Sequence, residues 1–226
     1  MTDKKNIGDS IVKDDLNIVP FLYTSSSLEE VLTEYSSVLR DSNDLTNLLH
    51  ANKLIEVKNI LIDNKFLSMI RKHYDSLYTA TKNAYPNLKF QLAGRRKSVI
   101  GTEKKINLYL SQGRDLTDFK DVLAFRFIIF DNSIEICYNL MKTVIDFNLE
   151  NGFIPCIATQ VFQTEGFTKT DFKDVELPEK SYLPPEYQKW VKDYILRPKE
   201  TGYQSLHVVF QDPSTGRCFE IQIRTC

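Results

Sequence analysis

The sequence predicts an α/β (α+β) fold, with helices first and a sheet second. Three observations carry that expectation. Before Pro86 the apolar residues recur at helical spacing. After it, short strand-like runs alternate with helical ones. Near the end, two alternating runs, Ser205–Phe210 and Arg217–Arg224, flank an Asp-Pro-Ser-Thr-Gly turn.

Taken in order, residues 1–26 are polar and aperiodic, which predicts a flexible lead-in. Ser27-Leu-Glu-Glu30 has the form of a capping box, and Leu28, Val31, Leu32, Tyr35, Val38 and Leu39 follow at helical spacing. Two more helices are expected over 44–62 and 65–84, the latter presenting Phe66, Met69, Ile70, Tyr74, Leu77 and Tyr78 as a core stripe and stopped by Pro86. Residues 27–84 are therefore a helical segment, and 85–226 the sheet-bearing core. Within that core, Phe90–Leu92 reads as a short strand, and Thr102 as the cap of a helix closed by Gly113. VLAFRFIIF (122–130) is apolar enough to be the central, doubly covered strand. A helix over 133–149, a strand over 153–162, a long excursion over 163–188 and the final hairpin complete the order.

With 226 residues, the chain can bury roughly 70–75% of the surface it exposes unfolded, without staples. Cys137, Cys156, Cys218 and Cys226 are scattered, with no CxxC pair, which predicts reduced thiols in a cytosolic protein rather than disulfides or a zinc site. The first residues hold no apolar signal region, and no apolar run approaches membrane-spanning length. The net charge of −1 hides an asymmetry: 89–105 carries six bases against Glu103 alone. A local cationic cluster on a neutral chain suits a compact polyanion such as a nucleotide phosphate better than a nucleic acid.

Several polar residues sit where stability alone would not put them. Arg95 and Lys97 are two apart at a strand end, between Gly94 and Gly101, just before a helix N-terminus able to receive phosphate, with Lys105 on that helix. Asp121 precedes the buried strand and Arg126 lies inside it; Glu220 is flanked by Phe219 and Ile221. Two carboxylates in such places suit Mg²⁺, a hard cation that commonly takes only one or two ligands from protein. Gly202 lets the backbone approach closely, Tyr203 offers a stacking surface for a base, and Lys199 and His207 can meet phosphate oxygens. Together they describe a site for nucleotidyl or pyrophosphoryl transfer, where positioning and charge neutralisation do most of the work.

The stretches GRRKS (94–98), KDVLAFR (120–126), VKDYILRPKETGYQSLH (191–207) and EIQIRT (220–225), in that order, resemble the synthetase domain of the RelA/SpoT-homologue family. The resemblance runs over residues 65–226. It implies a nucleotidyltransferase-like mixed sheet flanked by helices. It also implies transfer of the β,γ-pyrophosphate of ATP to the 3′-hydroxyl of GDP or GTP, giving the alarmones ppGpp and pppGpp. On that pattern Asp121 and Glu220 are the catalytic Mg²⁺ carboxylates, and Glu220 is also the base for the acceptor hydroxyl. Arg95 and Arg126 sandwich adenine, and Lys97 and Lys105 take the ATP phosphates. Tyr203 stacks on guanine with Lys199 and His207 near the acceptor phosphates or the transferred group, while Gln222 and Arg224 support the acceptor side.

Four positions depart from the family pattern: Gly101, Leu108, Thr201, and Trp190 ahead of Lys192 and Asp193, the pair linked to GDP preference. The family continues past IRT into a helix, so the resemblance implies a core cut short after Cys226. Three histidines, none followed by Asp, predict no hydrolase of the HD type. Expected partners are ATP and GDP or GTP, with no membrane and no stable nucleic-acid complex; compact family members often form homo-oligomers. Two other functions remain open from sequence: a toxin-like relative acting on tRNA or adenosine nucleotides, and a nucleotide-binding regulator without turnover.

Overall fold

A computed structural model describes residues 45–131, 133–158, 178–199 and 201–226. In chain order these form helices α1 (Leu45–Ile62) and α2 (Asn64–Ala84), strand β1 (Phe90–Arg96), helix α3 (Val99–Ser111), a 3-10 turn (Leu116–Asp118), strand β2 (Leu123–Ile129) and helix α4 (Ile134–Glu150). Strand β3 (Ile154–Pro155), the short helix α5 (Pro185–Gln188), and strands β4 (Val191–Asp193), β5 (Leu206–Gln211) and β6 (Cys218–Thr225) follow. The six strands make one sheet in the order β1-β2-β6-β5-β3, with β4 also paired to β5. The α/β class expected from the sequence is the class observed.

By its contacts the chain divides into two compact units, which among the described residues comprise 45–75 with 93–124, and 76–92 with 125–226. In the first, α1 and α2 are separate helices because Asp63 interrupts them: its carboxylate accepts the Phe66 amide at 3.0 Å and caps α2. Leu54, Val57, Phe66, Leu67, Ile70, Ile106 and Phe119 are buried there. Helix α3 starts at Val99, capped by Ser98, whose hydroxyl accepts the Gly101 amide at 3.1 Å. Its end is a Schellman turn: Gly113 takes φ +62°, its amide reaches Leu110 O, and the Arg114 amide reaches Tyr109 O.

The second unit is organised by β6. Phe219, Ile221 and Ile223 pair directly with Phe210, Val208 and Leu206 of antiparallel β5, and this apolar face packs against α4. Phe219 meets Phe125, Phe153 and Phe210 at centroid distances of 5.6, 5.1 and 5.8 Å. The alternate residues, Glu220 and Gln222, face the other way and share that face with His207, which is directly opposite Gln222. One edge of β5 is divided between two short partners: β3 pairs at Phe210 and Gln211, β4 at Leu206 through Val208.

The structure corrects several local expectations. Ser98, not Thr102, caps α3: Ser98 has the extended backbone of a cap, whereas Thr102 already lies within the helix and donates its hydroxyl to Ser98 O. The strand expected over 90–92 runs on to Arg96, through the basic residues. The strand expected over 153–162 is only Ile154–Pro155 among the described residues. The middle strand is β6 rather than β2, which lies between β1 and β6. Both faces of β6 are covered over most of its length: six of its residues, Cys218 to Ile223, are buried. The helix expected from Ser27, residues 159–162 of the expected strand and residues 163–177 of the excursion lie outside the described residues.

Phe219→Ala should destabilise the protein by about 3–5 kcal/mol, the usual cost of emptying a ring from a closed core. Urea unfolding followed by circular dichroism measures it. A loss below about 1 kcal/mol would mean that the ring cluster is not the centre of this unit.

Candidate active site

In the first unit, Lys97 leaves β1 and its amide is fixed to Val122 O at 2.8 Å, which brings the basic loop alongside the start of β2. Its ammonium lies 2.8 Å from Asp121 Oδ2, while Lys105, from α3, lies 2.6 Å from Oδ1. One carboxylate therefore holds two lysines, one on each oxygen. Burial alone would raise the Asp121 pKa, but the charges of Lys105 and Lys97 outweigh it and bring the carboxyl down from 3.8 to about 2. Beneath them is the Phe119 ring, with the ammonium groups of Lys105, Lys53 and Lys97 at 5.1, 5.4 and 5.7 Å from its centroid. Lys53 comes from α1 and pairs with Glu56 at 2.9 Å. Arg95 is exposed on β1. A Cβ on Gly101 would stand 3.1 Å from the capping Ser98 Oγ, so a larger residue here would have to shift the cap slightly.

In the second unit, five side chains form an unbroken hydrogen-bonded chain. Arg126 Nε donates to Gln222 Oε1 at 3.0 Å, and Gln222 Nε2 donates to Glu220 Oε2. Glu220 Oε1 lies 3.0 Å from His207 Nδ1, and His207 Nε2 lies 3.1 Å from the Tyr203 hydroxyl. A carboxylate can only accept, so the network assigns the proton to Nδ1 and makes Nε2 the acceptor from Tyr203. Glu220 is 5% exposed, so its two donors stand in for the water it has lost. Both ring nitrogens of His207 are engaged, Nδ1 with Glu220 and Nε2 with Tyr203.

Tyr203 sits on a tight turn. Gly202 has φ +74°, its amide donates to Lys199 O at 2.8 Å, and the Lys199 amide donates to Tyr203 O. The turn places the Lys199 ammonium 5.2 Å from the Tyr203 ring and 4.6 Å from Tyr194. Tyr194 and Tyr203 each meet the His207 ring edge-on, at 5.1 and 5.8 Å. Asp193 has a structural task. Tyr138 donates its hydroxyl to both carboxylate oxygens, and the Ile195 and Leu196 amides donate to Oδ1.

The ten residues expected from sequence thus fall into two groups: Arg95, Lys97, Lys105 and Asp121 in the first unit, and Arg126, Lys199, Tyr203, His207, Glu220 and Gln222 in the second. Sequence reasoning missed Lys53, Phe119 and Tyr194. Tyr194 stands inside a quoted motif, but nothing in a lone aromatic separates a pocket wall from core. Lys53 lies far upstream on a helix that carries no motif.

Asp121, held ionised by its two lysines, and Glu220 are each a hard-oxygen donor of the type Mg²⁺ takes. No group of three or more His, Cys, Asp or Glu that could cage an ion occurs among the described residues. A magnesium ion that takes one or two carboxylates and completes its shell with substrate oxygens and water needs no such cage.

Asp121 also makes stability depend on pH. Its folded pKa, about 2, lies below its ordinary 3.8, so its contribution is complete above pH 4 and is lost as pH falls toward 2. Asp121→Asn should flatten the stability profile between pH 4 and 2, read from thermal melts at stepped pH. An unchanged slope would show that the lysine pairing does not hold in solution.

Residues 177–226 match the family model described as a region found in RelA / SpoT proteins. A guanosine-3′,5′-bis(diphosphate) 3′-pyrophosphohydrolase of Spiroplasma citri is 28% identical over 191 residues, which are 84% of this chain and 17% of that protein. A probable chloroplastic GTP diphosphokinase of Arabidopsis thaliana is 32% identical over 137 residues, 59% of this chain and 18% of that protein. The chain therefore spans less than a fifth of the length of either relative. Among solved structures, small alarmone synthetase 1 from Bacillus subtilis, bound to its product pppGpp, aligns with a TM-score of 0.37 and 18% identity, over 71% of this chain and 72% of that one. The matched residues 177–226 include the paired strands that hold His207, Glu220 and Gln222.

Proposed function

We propose that this chain is an ATP:GDP/GTP 3′-pyrophosphotransferase, making ppGpp and pppGpp in a Mg²⁺-dependent reaction. The observation that carries the proposal is the chain Tyr203–His207–Glu220–Gln222, a buried and oriented carboxylate beside an aromatic platform, lying within the RelA/SpoT region.

Tyr203 stacks on guanine, and Lys199 faces the acceptor's phosphates from above the same ring. Glu220, held by His207 and Gln222, accepts the proton of the acceptor 3′-hydroxyl. The freed oxygen bonds to the β-phosphorus of ATP, the bond from that phosphorus to the α–β bridging oxygen breaks, and AMP leaves with the electron pair. Lys97 and Lys105 take the donor's phosphates, each having donors to spare beyond Asp121. Arg95 and Arg126 are assigned to adenine. Asp121 and Glu220 would hold Mg²⁺, which when bound neutralises charge building on the phosphoryl oxygens. No described helix is long and apolar enough to cross a membrane; the proposed workplace is the cytoplasm, where both nucleotides are found.

The test is a thin-layer assay with ATP radiolabelled at its γ-phosphate, Mg²⁺, and GDP, GTP, GMP, AMP or bulk tRNA in separate reactions. Label should move to GDP or GTP. Glu220→Gln should lower the rate by about 10²–10⁴, as loss of a general base does. Asp121→Asn should abolish it. Transfer to tRNA or AMP alone would replace the acceptor, and nucleotide binding without any transfer would make the chain a binding module.

A further inference from the structure

We propose that Lys53 is a third cation of the donor-phosphate site, acting on the polyphosphate through its field rather than by contact. The inference rests on the reading of Lys97 and Lys105 given above. Lys53 itself lies outside the stretches that carry the family resemblance. Lys53, Lys97, Lys105, Phe119 and Asp121 all belong to the first unit. The three ammonium groups stand 5.4, 5.7 and 5.1 Å from the centroid of the one Phe119 ring. Each distance is shorter than the roughly 8–10 Å over which salt screens charge in solution. A polyphosphate held by Lys97 and Lys105 therefore lies within the field of Lys53 as well.

The pairing of Lys53 is lopsided. Its ammonium donates to both carboxylate oxygens of Glu56, at 3.0 and 2.9 Å, three residues along α1. The Lys53 side chain is only 4% exposed, whereas that of Glu56 is 56% exposed. Water screens the carboxylate far more than the ammonium, so the pair leaves positive potential on its buried side. The field of Lys53 also reaches Asp115, an exposed carboxyl in the turn after α3. Hydrogen bonds from Thr117 do most to lower its pKa, and the charge of Lys53 adds to them. Stability does not account for the arrangement. An ammonium gains little from an exposed partner on its own helix, and an apolar side chain would fill the buried place at lower cost. Lys97 and Lys105, meanwhile, share the single carboxylate of Asp121. Lys53 thus adds charge where two cations are already proposed to meet the donor's phosphates.

The experiment is calorimetric titration of wild type, Lys53→Met and Glu56→Gln with inorganic tripolyphosphate, followed by displacement with ATP. Both substitutions break the same ion pair, so a purely structural role would move the two variants in the same direction. A role through charge moves them apart. Lys53→Met should lose roughly fivefold to tenfold in tripolyphosphate affinity, and Glu56→Gln should gain severalfold, with both differences shrinking as salt is raised. Variants that do not move in opposite directions overturn the inference while leaving the proposed function standing, as does tripolyphosphate that ATP cannot displace. Wild type that binds neither tripolyphosphate nor ATP overturns both. Should Lys53→Met fail to fold, Glu56→Gln decides alone, because its side chain is largely exposed: unchanged or weaker binding overturns the inference.

Discussion

A carboxylate buried in the middle strand of a sheet has to be held by other groups, and much of the second unit follows from how Glu220 is held. An unpaired charge at 5% exposure would cost several kcal/mol. His207 and Gln222 remove that cost by donating to one oxygen each. Each of them then has a second polar atom to satisfy, and the requirement passes outward: His207 Nε2 to Tyr203, Gln222 Oε1 to Arg126. A single buried charge thereby fixes side chains from β2, β5, β6 and the turn at 199–203. The apolar reverse face makes this arrangement rigid. Phe219 and Ile221 flank Glu220 in sequence and lock the strand into the core beneath α4, so the carboxylate cannot relieve its burial by tilting outward.

Asp121 meets the same constraint in another way. Its donors are two full cations rather than a histidine and an amide, and they keep it ionised down to a pH of about 2. Lys97 and Lys105 gather with Lys53 around the Phe119 ring, whose face tolerates ammonium groups that no carboxylate fully covers. Two lysines on one carboxylate leave a local excess of positive charge, which suits a triphosphate. The pairing that stabilises Asp121 therefore also preorganises the cations proposed to receive ATP.

Most of the fold was legible because its signals are local. Periodicity located α1, α2 and α4 to within a residue or two, and Gly113 and Pro86 marked two helix ends. The final hairpin followed from alternation and a turn rich in Asp, Ser and Gly. What failed depended on neighbours in space. Ser98 and Thr102 are equally good caps by type, and only the backbone at Ser98 decides between them. The partners that cover the polar face of β6 come from β5 and β2, far away in sequence. Candidate residues were found where a motif named them. Lys53 and Phe119 belong to no motif, and their place beside Lys97 and Lys105 arises only when α1 and α3 pack together. That both ring nitrogens of His207 are already bonded is likewise visible only once the strands are paired.

The density of the motif over 191–207 has a physical cause in the division between residues that hold the backbone and residues that face outward. Asp193 binds Tyr138 of α4 and two amides of the following turn, so a core helix anchors the start of the loop. The Tyr194 amide reaches Ser205 O, and Gln204 Nε2 reaches Ile195 O, tying the two ends of the loop together. Between these ties, Gly202 allows the sharp reversal that sets Lys199 over Tyr203. Removing any of the ties would leave Lys199 and Tyr203 chemically intact but unplaced. In the roles proposed for them, Tyr203 and Lys199 act only at a fixed separation, so the structural residues must keep their spacing as strictly as those two. That shared demand is why so short a ribbon carries so many polar side chains.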